Sequence, residues 1–427
     1  MPRLQGLYLA QLRIWKGNVR SMEIGISVER AIELIETNVR PVAAGHIRAT
    51  RAQGRILSED VCAPMDQPPW PRSPLDGYAF RAADSAGASQ ETPAALRVVE
   101  TLYAGSWTDR TVQPGEAVRI MTGAPIPAGC DCVIRQEDTD GGEAVVQIYQ
   151  ALQPYDHYCA AGCDFKTGDL LLPAGTRLTG NALGVLASAG LYREEIMLPV
   201  YHKVRCALIC TGDELVPNDT HPLPPGKIYS SNAAVLASRL SELGMELTTL
   251  LPMFSDSADA LADAIYEAAE NADVILTTGG VSVGAKDILH EALPLLFADQ
   301  VFWKVRLKPG SPVMFSLYRE RPLLSLSGNP FAVSATFELF ARPMLAKRAG
   351  CSDLKPIMTE GVLSEEFRKK GCSRRFVRAV FQNGVVTVPQ GHSSGQLASA
   401  VGTNCLAEIP PISEPLPKES RVKVWLL

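Results

Sequence analysis

The sequence predicts a multidomain α/β plus β protein: a central α/β domain with a mostly parallel sheet, a β-rich inserted domain and a small C-terminal β domain. Three observations carry this. A chain of 427 residues exceeds one typical domain. Residues 203–348 alternate short apolar runs with amphipathic stretches, the pattern of parallel strands joined by crossover helices. Residues 96–150 and those from 358 onward carry short strand-like runs separated by turn signals.

Hydrophobic residues make up 46% of the chain and charged residues 20%, the balance of globular domains with ample core. A net charge of −5 and a pI near 5.8 exclude a nucleic-acid binder acting through overall positive potential, so any anion site must be built locally. No apolar run approaches the roughly 20 residues that span a bilayer, so no membrane partner is expected. Ten cysteines occur without paired C-x2-C knuckles, six of them at 130/132, 159/163 and 206/210. They read as reduced thiols of a cytoplasmic protein and not as a zinc site.

In chain order, residues 1–21 carry Arg3, Arg13, Lys16 and Arg20 and no acid, and read as an extension, with translation starting at Met1 or Met22. Ser27 caps a helix that puts Val28, Ala31, Ile32 and Ile35 on one face. Residues 46–61 read as further helix-compatible chain. Pro64, Pro68, Pro69, Pro71 and Pro74 then force an extended connection into SPLDGYA at 73–79, where Asp76 before glycine suits a turn. Strands follow at 96–99, 117–121, 132–136 and 144–149, with the loop TGAPIP at 122–127. Residues 155–200 form a return passage: Asp164, a turn at 167–169, a strand at 170–172 and a helix at 181–189 stopped by Gly190. The expected division is 22–62 with 151–202 as a discontinuous linker domain, 63–150 as the insertion, 203–350 as the α/β domain and 351–427 as the C-terminal domain.

In the α/β domain, strands are expected at 204–210, 247–254, 274–276 and 323–326, and helices at 232–243, 257–269 and 287–296. Ligands in such folds bind at the carboxyl ends of the strands. There, VILTTGGVSVGAKD at 274–287 turns a buried strand into a helix through Gly279, Gly280 and Gly284, with hydroxyls from Thr277, Thr278 and Ser282, a turn suited to an anion. Asp213, Glu214, Asp256 and Asp287 stand at successive strand ends. Each alone reads as a cap or solvated acid; together they suit Mg²⁺ held against a phosphorylated ligand. The segment 303–310, WKVRLKPG, puts Lys304, Arg306 and Lys308 on one face of a period-2 strand, which from spacing alone is a solvated cationic face. SGNP at 327–330 opens a helix with Pro330 in its first turn, Ser334 one turn in and an end near Gly350. Strands at 377–381 and 385–388 flank the Asn383-Gly384 hairpin turn, and a last strand covers 421–427.

SPLDGYA at 73–79, TGAPIP at 122–127, TGDEL at 211–215, TGGVSVG at 278–284, KPG at 308–310 and SGNP at 327–330 occur in the order and spacing of MoeA-type molybdopterin molybdenumtransferases. Together with the hairpin and GHSS at 391–394, the chain from Met22 onward resembles that family, whose relatives include the C-terminal part of gephyrin. The resemblance implies an elongated homodimer with a MogA-like central domain and an active site shared between subunits. It implies Mg²⁺-dependent insertion of molybdenum from molybdate into adenylylated molybdopterin, with release of AMP. Carried over by position, Glu214, Asp256 and Asp287 surround the metal, Lys304 and Lys308 neutralise oxyanion charge, and Asp76 and Thr122 approach from the partner subunit. Thr211, Gly279, Gly280, Ser282, Gly284, Asn329, Ser334 and Asp164 fall to the substrate, as do Arg374, Arg375 and Ser394 as oxyanion contacts. Molybdopterin adenylyltransferases or molybdoenzymes are the implied partners.

Four positions depart from the pattern. Ser311 stands where a second lysine is usual, and Cys159-Ala160-Ala161 replaces an Arg-rich turn; both remove charge. Ser327 and Pro74-Leu75 are packing changes. These departures keep two alternatives open: a non-catalytic paralogue that binds molybdopterin or a partner without turnover, and an adenylyltransferase acting on molybdopterin. The inserted and C-terminal β domains oppose the second.

Overall fold

A computed structural model describes residues 21–253, 257–281, 288–391 and 395–427, and the chain divides into two compact units. The first unit joins the described residues up to 45, 54–58 and those from 200 to the C-terminus; the second holds 46–53 and 59–199. Among the described residues, no helix is long and apolar enough to cross a membrane.

The first unit begins with strand β1 (Glu23–Ile26) and helix α1 (Val28–Asn38). Ser27 caps α1 by accepting from the Arg30 amide at 3.1 Å, and Val28, Ala31 and Ile35 are buried, as their spacing predicts. The α/β body then runs through β2 (Arg205–Thr211), α2 (Ser231–Glu242), β3 (Glu246–Met253), α3 (Ala258–Asn271), β4 (Val274–Thr278), α4 (Ile288–Leu295), β5 (Asp299–Val305), β6 (Met314–Tyr318) and β7 (Arg321–Leu326). Helices α5 (Pro330–Thr336) and α6 (Arg342–Ala349) follow, joined by a π turn at Phe337–Ala341, and Gly350 ends α6 at φ 71°. The sheet order is β1-β5-β6-β7-β4-β2-β3. Its β3-β2-β4-β7 stretch is parallel, and β6 runs antiparallel to both neighbours.

The sequence reading groups 22–62 with 151–202, but β1 pairs in parallel with β5, Glu23 opposite Phe302 and Ile26 opposite Val305. That edge strand carries α1 onto the sheet, where Val28, Ala31 and Ile35 share a core with Leu208, Leu276, Phe302 and Leu324. The expected strand through Lys304, Arg306 and Lys308 also differs: β5 ends at Val305, and Lys304 sits at φ 62°. Beyond it the chain is led off by its neighbours, the Arg306 amide donating to Ile26 O at 2.8 Å and the Lys308 amide to Arg374 O at 2.9 Å.

A closed five-stranded barrel completes this unit: β8 (Ile357–Leu363), β9 (Arg375–Gln382), β10 (Val385–Thr387), β11 (Cys405–Ile409) and β12 (Arg421–Leu426), in the order β8-β10-β9-β11-β12. Asn383 and Gly384 lie at φ 51° and 80° between the paired Gln382 and Val385, the two-residue hairpin that Asn-Gly encodes. Phe376, Leu406 and Trp425 leave the barrel's own core for that of the α/β sheet.

The second unit is built on a five-stranded sheet in the order Cys132–Arg135, Gly77–Phe80, Glu116–Ile120, Ala94–Leu102, Val145–Ile148. Its two faces bury separate clusters, one around Tyr78, Phe80 and Ile134 and one around Val118, Ile120 and Val133. The helix expected at 181–189 is Gly180–Ser188, capped by Thr179. The helix-compatible reading of 46–61 is corrected: the segment holds the end of a strand, Ala44–Arg48, and a single 3₁₀ turn, Ala49–Arg51. Local propensity loses to tertiary pairing there, because the Ala49 amide donates to Ile196 O at 2.9 Å and Arg48 binds Glu194 at 2.6 Å.

Candidate functional site

At the carboxyl ends of β2, β4 and β7 the chain leaves a cavity of about 220 Å³. Thr211, Gly212 and Glu214 line it from the loop after β2, Thr278, Gly279 and Gly280 from the loop after β4, and Ser327, Gly328 and Pro330 from the start of α5. The first turn of α2 adds Ser230, Ser231 and Asn232. Backbone N–H groups at a helix start carry partial positive charge, so the first turn of α2, in which Ser230 Oγ accepts from the Ala233 amide at 3.4 Å, suits an anion.

Glycine is required here by sterics. Gly279 has φ 90°, and a Cβ on it would stand 2.3 Å from Thr211 O; one on Gly280 would stand 2.6 Å from Ile288 Cγ1. Gly328 packs against Gly279, a Cβ at 328 meeting the Gly279 Cα at 3.6 Å. The three loops therefore touch through bare backbone, which is how a side-chain-sized space stays open. Thr211 and Thr278 are nearly fully buried, with the Thr211 hydroxyl donating to Thr278 O at 3.3 Å. Glu214 folds its carboxylate back over Gly212, within 2.8 Å of where a Cβ would be.

Sequence reasoning missed Asn232, which its helix pattern presents as an ordinary N-terminal residue. Its amide nitrogen donates to Gly328 O at 2.8 Å, and its Oδ1 is buried with no hydrogen-bond partner among the described residues. A buried acceptor of this kind is costly unless something donates to it, so it is a ready contact for a ligand N–H or O–H. Asn329, by contrast, caps α5 by accepting from the Ala332 amide at 3.3 Å, and the Ser334 hydroxyl bonds back to Pro330 O at 3.2 Å. Ser282, Gly284, Asp256, Asp287 and Ser394 lie outside the described residues, so Glu214 alone of the expected metal set is described. Its carboxylate and the neighbouring threonine hydroxyls are hard oxygen donors, the chemistry Mg²⁺ prefers.

Lys304 and Lys308 do not line this cavity. Lys304 sets its ammonium 4.1 Å from the centroid of the Trp303 ring, and that indole donates to Val281 O at 3.5 Å, beside the glycine turn. Lys308 belongs to a second group, where the barrel meets α5. The Phe376 amide donates to Lys308 O at 2.9 Å, and Gly310, at φ 92°, packs so close to α5 that a Cβ would lie 2.4 Å from Thr336 Cγ2. Around it stand Lys369, Arg375 and the buried Arg378, whose guanidinium lies 4.1 Å from the Phe331 ring centroid. Burial, then repulsion from Arg375, Arg378 and Lys308, holds the Lys369 ammonium below its ordinary range. An anion placed among them would relieve that repulsion. Arg374 is not part of it: Glu408 takes its Nε at 2.8 Å and Glu29 its Nη1. Ser311 turns its hydroxyl into the backbone, to Val305 O at 2.8 Å.

In the second unit, Asp76 and Thr122 are brought together as an exposed pair. One Asp76 oxygen accepts from both the amide and the hydroxyl of Thr122, each at 2.7 Å, and these bonds, the amide's first, hold its carboxyl below the usual range. Asp164 is exposed elsewhere in this unit, its amide donating to Gln67 O at 2.9 Å.

Comparison with known proteins agrees along the chain. Residues 26–190 match the family described as MoeA N-terminal region (domain I and II), 207–347 match the probable molybdopterin binding domain, and 360–427 match the MoeA C-terminal region (domain IV). The chain is 35% identical over 390 residues to the molybdopterin molybdenumtransferase of Staphylococcus aureus (strain COL), covering 90% of this chain and 91% of the relative. It is 32% identical over 389 residues to that of a Staphylococcus epidermidis strain, with the same coverage. The crystal structure of the molybdopterin biosynthesis MoeA protein from Pyrococcus horikoshii OT3 superposes with a TM-score of 0.81 at 26% identity, over 94% of this chain and 100% of that one.

Proposed function

We propose that this chain, which belongs to the MoeA family of molybdopterin molybdenumtransferases, seats the phosphates of adenylylated molybdopterin in the Thr211–Gly280 cavity and loads the dithiolene with molybdenum from molybdate, releasing AMP. The observation that carries this reading is the cavity itself: bare glycine backbone and helix-start amides converge where a phosphate needs donors. Asn232 Oδ1 accepts from a ligand N–H or O–H. Lys308, Lys369, Arg375 and Arg378 receive the molybdate oxyanion, and Lys304 balances the charge released as the phosphoanhydride breaks. Glu214, with Asp256 and Asp287, would hold Mg²⁺, which neutralises phosphate charge when bound. Cleaving a phosphoanhydride needs charge stabilisation and alignment more than a protein nucleophile, and this inventory supplies both. The protein works as a cytoplasmic homodimer in which Asp76 and Thr122 act on the partner copy's site.

The test is to incubate the protein with adenylylated molybdopterin and Mg²⁺, with and without molybdate, and to quantify AMP and metal-loaded product. Molybdate-dependent AMP release, abolished by Asp287→Ala, is expected. A second reading, a paralogue that binds without turnover, is favoured by Ser311 and by the engagement of Arg374 with Glu29 and Glu408. Tight binding of the adenylate with no AMP release under any oxyanion would establish it and sink the insertase.

A further inference from the structure

Ten cysteines are spread through the chain, and at 159 and 163 two thiols face each other, Sγ to Sγ at 3.1 Å. The loop between them is held to an adjoining segment by backbone bonds at both ends. The Cys159 amide donates to Arg72 O at 3.1 Å and the Arg72 amide to Cys159 O at 2.9 Å; at the other end the amides of Gly162 and Asp164 donate to Pro68 O and Gln67 O, each at 2.9 Å. Gly162 makes the turn at φ 67°, where a Cβ would stand 2.9 Å from Lys166 Cγ. The two sulfurs are thus kept together by the fold and need no search to meet.

Cys163 is exposed and Cys159 half-buried, so a small reagent reaches the first and the second waits behind it. Two thiolates on one tetrahedral metal stand about 3.8 Å apart for metal–sulfur bonds of about 2.3 Å, wider than the separation here. Among the described residues, no group of three His, Cys, Asp or Glu side chains suited to a metal ion is present. The hydrogen bond to Cys159 holds the Cys163 thiol above its usual range, so the attacking thiolate is the minor form at neutral pH and exchange quickens as pH rises.

We propose that Cys159 and Cys163 are a redox-active dithiol, a modification site that exchanges with a small-molecule disulfide such as oxidised glutathione and closes to an intramolecular disulfide. The Cys163 thiolate attacks one sulfur of the small disulfide, whose S–S bond breaks and releases one thiol. The Cys159 thiolate then attacks Sγ of the mixed disulfide on Cys163 and expels the second. Overall, two protein thiols are oxidised and one small disulfide is reduced to two thiols, the two protein protons leaving with them. The closed form ties residues 159–163 into a ring on the second unit.

The test uses the reduced full-length chain, incubated with oxidised glutathione, quenched with an alkylating maleimide and mapped by peptide mass. The exposed Cys62 and Cys372 serve as internal comparisons, because among the described residues neither has a thiol hydrogen-bonded to it. The expected result is a 159–163 disulfide, reversed by dithiothreitol, with the adduct on Cys163 roughly tenfold or more below that on Cys62, since the neighbouring thiol acts at high effective concentration. In Cys159→Ser the adduct should persist on Cys163. A stable adduct on Cys163 in the unsubstituted chain, or both thiols still open to alkylation when Cys62 and Cys372 are modified, would overturn the proposal. Neither readout depends on turnover.

Discussion

The cavity at the strand ends and the cationic group beside the barrel, the two proposed anion sites, are made in opposite ways. The first is made of backbone: Gly279, Gly280 and Gly328 bring three loops into contact, and its donors are amides and threonine hydroxyls fixed by the strands that carry them. The second is made of charge: Lys308, Lys369, Arg375 and Arg378 gather on long side chains, where burial first and their mutual repulsion second depress the Lys369 ammonium. A backbone site fails by sterics and is indifferent to which cation is nearby. A side-chain site tolerates shape changes and fails by loss of charge. The division suits one large ligand of fixed shape and one small, symmetrical oxyanion.

The largest effect should come from Gly279→Ala. The new methyl would meet Thr211 O at 2.3 Å from a backbone at φ 90°. AMP release should fall by about 100-fold or more, as a displacement of about 1 Å in a positioning loop is enough for that. Thermal unfolding should show a loss of about 2–3 kcal/mol. Near-normal turnover would mean that the ligand does not use this cavity.

Arg375→Ala should separate the two sites. Removing one charge-assisted contact of roughly 1.5–3 kcal/mol should raise the KM for molybdate by about 10–150-fold while leaving adenylate binding unchanged. An equal loss of adenylate binding in calorimetry would show that the two groups form one site.

Ser311→Lys sharpens the comparison from the other side. Giving up the bond to Val305 O costs about 1 kcal/mol of stability, and an added cation should lower the molybdate KM by about 2–10-fold. No change in that KM would indicate that position 311 lies away from the oxyanion.

The smallest effect is expected at Asp76. Its carboxyl is held low first by the Thr122 amide and then by the Thr122 hydroxyl, so the stabilisation is present above the unfolded pKa and lost as pH falls through the depressed folded value. Thr122→Val keeps the amide and removes the hydroxyl, so a carboxyl NMR titration should show the Asp76 pKa rising part of the way to about 3.9. An unmoved titration would leave the hydroxyl without a part in the pair.

Much of this was legible in the chain because it follows from short-range physics. Ser27 before an apolar helical stripe, Asn383-Gly384 between two β-branched runs, and glycines where a strand turns into a helix each state their conformation locally. The alternation from 203 to 348 likewise indicates a mostly parallel sheet and, with it, the end at which ligands collect in such folds. Edge pairing is different. Residues 23–26 are too short to declare themselves a strand, and only their register against Phe302–Val305 makes them one. Residues 46–61 read as helix-compatible, but their first part is claimed by Ile196 and Glu194 from far along the chain.

For the sites, sequence by itself determined which residues carry the chemistry types: the glycine turn, the acids at strand ends, the lysines of 304 and 308. Tertiary structure decided which of them meet. It gave Asn232 a buried acceptor at the cavity, set Lys304 on Trp303, and chose Arg375 for the cationic group while engaging Arg374 with Glu29 and Glu408. The reason is that a residue's type is local, whereas its partners come from strand register and from the packing of segments hundreds of residues apart, and neither leaves a mark on the residue's own neighbours in sequence.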